Sequence, residues 1–254
     1  RDVTLNKDNM CGSYLGPEFS DDEIELTLTD CGAVFEKIEA HELIKCTVQA
    51  LVDEKAVGWM KGRMEFGPRA LGGRSIIADA RSPKMQKLLN LKVKCRESFR
   101  PFAPSVLRED VSEWFEIDYD SPYMLLVADV KKEKCRQMTK EEEGLFGIEK
   151  LNIRRSEIPA VTHVDFSARI HTVHKEINPQ YYALIEKFKE ETGCPVIVNT
   201  SFNVRGEPIV CTPKDAFYCF MGTELDVLII ENFILYKKNQ SKSIIKRLQK
   251  QILG

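Results

Sequence analysis

The sequence lacks any apolar run near the ~20 residues that a membrane-spanning helix requires. It also lacks a basic excess. Its 37 Lys and Arg stand against 39 Asp and Glu, a formal net charge of −2, which argues against a general binder of nucleic acid or anionic membrane. No C-x-x-C pair occurs among the eight cysteines at 11, 31, 46, 95, 135, 194, 211 and 219, which excludes zinc-ribbon spacing and a small disulfide framework. Reduced, buried or half-buried thiols in a cytoplasmic protein are the expectation. Histidine is scarce, four in 254 residues; His171 and His174 stand three apart without a third ligand, so no metal site is expected. The G-x-x-x-x-G-K-[ST], G-x-G-x-x-G and G-x-S-x-G patterns are all missing. Walker-type and Rossmann-type nucleotide loops and a serine hydrolase are thereby set aside.

What is present is an ordinary globular composition, 43% hydrophobic and 30% charged, enough for one large domain. The opening Arg1-Asp2 has no methionine and no signal-peptide pattern follows; a sequence begun inside a longer protein is the expectation. Ser20 and Glu23 have capping-box spacing and predict a helix ending near Gly32. Helical spacing returns over Leu43, Val48 and Leu51, and Ala56–Met60 reads as a strand. Ser75–Ala78 is a second strand, Pro83–Leu91 a helix, and Met124–Ala128 an apolar strand. Residues 131–157 are charged and poorly patterned, a surface insertion. Asn178-Pro179 caps a helix that Gly193 ends, followed by the strand Pro195–Val198, a helix from Thr212 to Gly222, and the apolar run Leu225–Tyr236. The tail, 241–254, sets Lys and Arg around Ile244, Ile245, Leu248 and Ile252 as a basic amphipathic helix. This alternation predicts an α/β (α+β) domain around one twisted open sheet.

Three motifs carry chemistry. Lys61, Arg63, Arg69 and Arg74 surround the glycines of residues 61–75, whose backbone amides can turn into an anion-binding concavity. Arginine forks match phosphate oxygens in pairs; a basic surface loop would have the same composition. Phe99-Arg-Pro-Phe-Ala-Pro-Ser105 holds Arg100 among rigid neighbours. Asn199, Ser201 and Asn203 follow a buried-looking strand, where open sheets place ligand groups, although the same residues also favour a plain turn. His163 and Asp165 can orient a phosphate or assist proton transfer. The side chains of Lys61, Arg69, Arg74 and Arg100 are expected to meet in one cleft.

Residues 62–75, Phe99–Ser105, Val161–Asp165 and Asn199–Pro208 together resemble the C-terminal domain of the NodU/CmcH carbamoyltransferases, which act on nodulation factors and antibiotics. Gly12–Ser20 is similar to the segment joining the two halves of such enzymes. The resemblance implies a YrdC-like fold over residues 41–240, with 1–40 as leader. It implies carbamoyl-adenylate formation from ATP and carbamoyl phosphate, with Mg accompanying the ATP. The group then passes to a hydroxyl acceptor on a separate N-terminal Kae1-like domain, the partner, where an iron-type metal belongs. Lys61, Arg63, Arg69, Arg74, Ser75, Arg100, His163, Arg169, Asn199, Ser201 and Asn203 would hold the substrates, with Arg69, Arg74 and Arg100 catalytic. Without that partner domain a homodimer is allowed. A threonylcarbamoyl-adenylate synthase or a non-catalytic nucleotide-binding module remains an alternative. Phe166 and His171 depart from the family's usual glycine and glutamine; phenylalanine resists positive φ, so the turn after Asp165 is expected to differ.

Overall fold

The computed structural model describes residues 8–145, 147, 149 and 153–246. Nine strands form one open sheet: β1 (Glu36–Lys37), β2 (Val57–Met60), β3 (Arg74–Asp79), β4 (Ala103–Leu107), β5 (Leu126–Asp129), β6 (Ser167–Val173), β7 (Val196–Ser201), β8 (Val227–Ile230) and β9 (Phe233–Tyr236). Their order is β1-β9-β8-β2-β3-β7-β4-β6-β5. Only β2–β8 and β4–β6 run parallel. Four longer helices flank it, α1 (Asp21–Asp30), α2 (Ala40–Val52), α3 (Pro179–Thr192) and α4 (Pro213–Gly222), with α2 packed on α3 and α1 on α4.

The helix ends follow from local chemistry. At α1 the Ser20 hydroxyl accepts from the Glu23 amide while the Glu23 carboxylate accepts from the Ser20 amide, so two orphan donors are satisfied at once. Asn178 caps α3 by accepting from the Tyr181 amide at 3.0 Å. Thr212 and Asp215 form a second capping box with Pro213 in the first turn of α4. The central strands β2, β3 and β4 are buried along their whole length.

Two elements differ from expectation. The helix expected at Pro83–Leu91 is a single α-turn, Met85–Leu88, that widens into a π-helical turn over Leu89–Val93. The Lys94 amide donates to the Leu89 carbonyl at 2.8 Å, one residue further back than in an α-helix. Such a bulge rotates the following side chain, and here it turns Lys94 inward. The strand expected from Met124 begins at Leu126, because Met124 has φ +55 and leaves the extended region.

The 131–157 segment carries a short capped helix, Lys140–Glu143. Its returning limb is held to the domain, with Arg155 and Ser156 buried and Cys135 bridging to Ser156. The tail begins as a helix at 242 and rests Ile244 and Ile245 on the core; residues 247–254 of that expected helix lie outside the described residues. None of the described helices is long and apolar enough to cross a membrane.

Candidate functional site

Register brings the three motifs to one end of the sheet. Met60 pairs with Arg74, Ser75 with Ser201, Asn199 with Ala103, and Ser105 with His171. The carboxyl ends of β2, β7 and β8 therefore share an end with the amino ends of β3, β4 and β6. With ~4.8 Å between strands, the line from β2 to β6 is about 19 Å long. Lys61, Arg74, Ser201, Arg100 and His163 all sit along it, but they do different work.

The 61–74 loop was expected to cradle an anion with its amides. It already holds one, the Glu65 carboxylate, whose Oε1 accepts from the amides of Leu71 (2.6 Å), Gly73 (2.7 Å) and Arg74 (3.3 Å). Glu65 is buried, so those donors face inward and cannot reach a phosphate. Arg74 is wholly buried. Its guanidinium donates to the carbonyls of Gly62 (3.0 Å), Gly73 (3.0 Å) and Pro17 (3.2 Å); burial lowers its pKa, opposed by the Glu65 charge. The Lys61 ammonium donates to the Glu231 carbonyl at 3.2 Å, and burial presses it below the ordinary lysine value while Glu231 and Asp21 pull the other way. Ser75 accepts from the Gly72 amide at 3.0 Å. Gly72 has φ +102, and a Cβ there would lie 2.4 Å from the Tyr181 ring, so this corner admits only glycine.

Asn199 lies beneath the loop, donating to Ala70 O at 3.0 Å and to Ser105 Oγ at 2.9 Å. His171 completes this layer through Ser105 Oγ at 2.8 Å. Burial pushes the imidazole down to about 3, so it is neutral and structural at ordinary pH. The loop is thus tied below by Asn199, inside by Glu65 and across by Arg74.

Two charges on the loop and its neighbour remain without compensation. Arg69 and Arg169 are each half-buried, with a buried Nε that has no hydrogen-bond partner, and neither guanidinium forms a salt bridge among the described residues. They are close enough for the Arg69 charge to lower the Arg169 pKa, second to burial. His163 stands beside them, its Nδ1 3.2 Å from Ser167 Oγ; burial lowers its pKa, opposed by Asp165. On the His163 side a cavity of about 440 Å³ opens between His163, Asp165, Arg155, Thr162, Phe99 and Pro101; neither Arg69 nor Arg169 lines it. Phe166 does adopt positive φ, +67, so the turn after Asp165 keeps the conformation that the usual glycine would take.

Arg63 and Arg100 are exposed. Arg63 donates to Leu15 O at 3.2 Å. Arg100 pairs with Glu97 at 3.0 Å, and its backbone is pinned by Asn90, which donates to Arg100 O at 2.8 Å.

Sequence reasoning missed Lys94. Its ammonium is buried and donates to Ser201 Oγ (3.2 Å), Asn203 O (3.0 Å) and Asn203 Oδ1 (2.7 Å), as well as to Ser201 O. No carboxylate faces it, and burial, reinforced by the Arg96 charge, pushes it down to about 7. A lysine at that value, embedded in the polar loop after β7, is the kind of perturbed group that marks functional sites. The signal was present in Lys94-Cys-Arg96, a basic pair just ahead of Arg100. Among the described residues no three His, Cys, Asp or Glu side chains gather so as to hold a metal ion.

The fold is an open α/β sheet with flanking helices, with the basic side chains of Arg69 and Arg169 unpaired at one end. Residues 48–237 match the family described as carbamoyltransferase C-terminus, and the chain belongs to that NodU/CmcH-type carbamoyltransferase family. An uncharacterised protein of Synechocystis is 59% identical over 92% of this chain and 38% of its own length. The nodulation protein NolNO of Sinorhizobium fredii is 38% identical over 92% of the chain and 32% of its own. The 3'-hydroxymethylcephem-O-carbamoyltransferase of Streptomyces clavuligerus is 37% identical over 67% and 28%. The chain thus spans little more than a third of these relatives' length at most. Among solved structures, full-length HypF in its phosphate- and nucleotide-bound form aligns over 78% of this chain and 22% of its own, at 19% identity and a TM-score of 0.48.

Proposed function

We propose that this chain binds ATP and carbamoyl phosphate and forms carbamoyl-adenylate for an ATP-dependent O-carbamoyltransferase, whose acceptor is a hydroxyl group. The observation that carries the reading is the Arg69–Arg169 pair, two adjacent guanidiniums with buried, partnerless Nε atoms. Like charges held together without a carboxylate raise the free energy of the empty site, and a polyanion relieves it. Bidentate guanidinium–phosphate contacts supply the specificity.

The remaining residues divide into holders and contacts. Arg69 and Arg169 take phosphate oxygens, Arg100 adds a movable charge at the rim, and His163 orients a further oxygen. Lys94, with Ser201 and Asn203, presents a proton-bearing cluster to the carbamoyl or α-phosphate oxygens. Water cleaves carbamoyl phosphate to carbamate with release of phosphate; a carbamate oxygen then bonds to the α-phosphorus as the bond to the leaving pyrophosphate breaks, and negative charge builds on the pyrophosphate. Preorganised positive charge stabilises that build-up without rearrangement. Arg74, Lys61, Ser75 and Asn199 serve by fixing the loop. Magnesium travels with the nucleotide phosphates. The carbamoyl group then leaves for the hydroxyl acceptor on an N-terminal Kae1-like domain, where an iron-type metal resides, in the cytoplasm.

The test is ATP–pyrophosphate exchange dependent on carbamoyl phosphate, with calorimetric ATP binding beside it. Binding and exchange in the unaltered chain, both lost in Arg69→Ala and Arg169→Ala, are expected. ATP affinity unchanged in both variants would overturn the assignment.

A further inference from the structure

We propose that the leader segment Gly12–Glu18 is part of the nucleotide site: it is a strap that positions the loop bearing Arg69, with Tyr14 as the positioning residue. The proposal rests on the function proposed above. It goes beyond the family match, which begins only at residue 48.

The strap runs beside the 61–74 loop and is bonded to it through Ser13, Gly16 and Pro17. The Phe66 amide donates to Ser13 O at 2.7 Å, the Gly16 amide to Met64 O at 2.9 Å, and the Met64 amide to Pro17 O at 2.9 Å. Met64 thus both donates to the strap and accepts from it. Pro17 O also accepts from the buried Arg74 guanidinium, so the strap is one of three anchors for that charge. The approach is close at Gly16, where a Cβ would lie 2.9 Å from the Met64 carbonyl oxygen.

Tyr14 ties the strap to the loop near its C-terminal end. Its hydroxyl donates to Leu71 O and accepts from Asn178 Nδ2 at 3.0 Å. Asn178 caps α3, so one phenol links the strap, the loop and the main helix. Asn199 holds Ala70 O from beneath. The residue next to Arg69 and the one after that are therefore fixed by two hydrogen bonds from different parts of the chain. Glu65 holds the loop's amides but not these carbonyls. Without the strap, Leu71 O and Pro17 O lose their roles, and the loop keeps its shape only from one side.

Two substitutions in the 254-residue chain test this. Gly16→Val forces the strap off Met64, and Tyr14→Phe removes a single hydroxyl. Backbone hydrogen exchange without ligand is read over residues 63–74, and ATP affinity is read by calorimetry. Gly16→Val should speed exchange in the loop, and weaken ATP, by about tenfold or more, while β7 stays protected. Tyr14→Phe should change both by roughly two- to tenfold, the range for the one hydrogen bond that the hydroxyl gives the loop. Should Gly16→Val unfold the chain, loss of β7 protection reveals it and Tyr14→Phe decides. Loop exchange equal to the unaltered chain in the folded variants overturns the strap, as does a loosened loop with full ATP affinity. A loosened loop in a chain that never bound ATP supports the strap and removes the nucleotide assignment instead.

Discussion

Lys94 offers a pH signature that can be worked out in advance. Its ammonium is buried among carbonyl, hydroxyl and amide oxygens with no carboxylate opposite, and its pKa falls to about 7 against ~10.4 for a free lysine. At ~1.4 kcal/mol per pH unit, keeping the proton in the empty site costs on the order of 5 kcal/mol. A phosphate placed against it offsets much of that and returns the pKa toward its ordinary value. At pH 8 the empty site is about one-tenth protonated and the occupied site almost wholly so, so ATP binding should take up close to one proton. Nucleotide phosphates, with a last pKa near ~6, contribute little above pH 7.5. Affinity should accordingly fall by up to about tenfold per pH unit from about 7 upward. Calorimetry at pH 8 in two buffers of different ionisation enthalpy counts the proton directly, and Lys94→Gln should abolish both the uptake and the slope. Binding with no proton uptake and a flat profile from pH 7 to 9 would refute the reasoning. The same depressed pKa makes the unfolded chain bind more protons between about 7 and the ordinary lysine value, so stability should rise with pH across that window.

The two kinds of arginine should respond oppositely. Arg74→Met strands three carbonyls and the buried Glu65 charge and should destabilise the fold by roughly 2–4 kcal/mol in urea melts. Arg69→Met relieves repulsion from Arg169, so stability should hold or rise while ATP affinity drops at least about tenfold; a loss of stability like that of Arg74→Met would contradict the assignment. Phe166→Gly should stabilise by about 1 kcal/mol in the same melts, because φ +67 strains a residue with a Cβ and the Phe166 ring does not pack on the core; a destabilised variant would show that the ring matters. ATP affinity should weaken between 50 and 500 mM salt through the exposed Arg100, and less so in Arg100→Ala.

Much of the architecture was legible before any coordinates. Capping pairs such as Ser20–Glu23 and Asn178–Pro179 are local, needing only a few consecutive residues, so α1 and α3 could be placed from sequence. The apolar strand Pro195–Val198 likewise announced β7. The glycine, arginine and proline motifs carried the family resemblance, and the family match over residues 48–237 bears it out. The π-helical turn was not readable, since Leu89–Val93 has ordinary helical composition and the widening is driven by where Lys94 must go.

The allocation of charges was decided by the tertiary structure alone. Arg69 and Arg74 look equivalent in sequence, yet Arg74 begins a buried strand and meets three carbonyls, whereas Arg69 is half-buried with its Nε left without a partner. Glu65 reads as one carboxylate in a basic motif, and only folding brings it onto the amides of Leu71, Gly73 and Arg74. Lys94 and Asn203 are over a hundred residues apart in sequence and 2.7 Å apart in space. Sequence by itself determined which residue types reach this end of the sheet, because local pattern sets strands, turns and caps. Which charges are satisfied by protein and which are left for a ligand depends on long-range partners, and those exist only once the chain has folded.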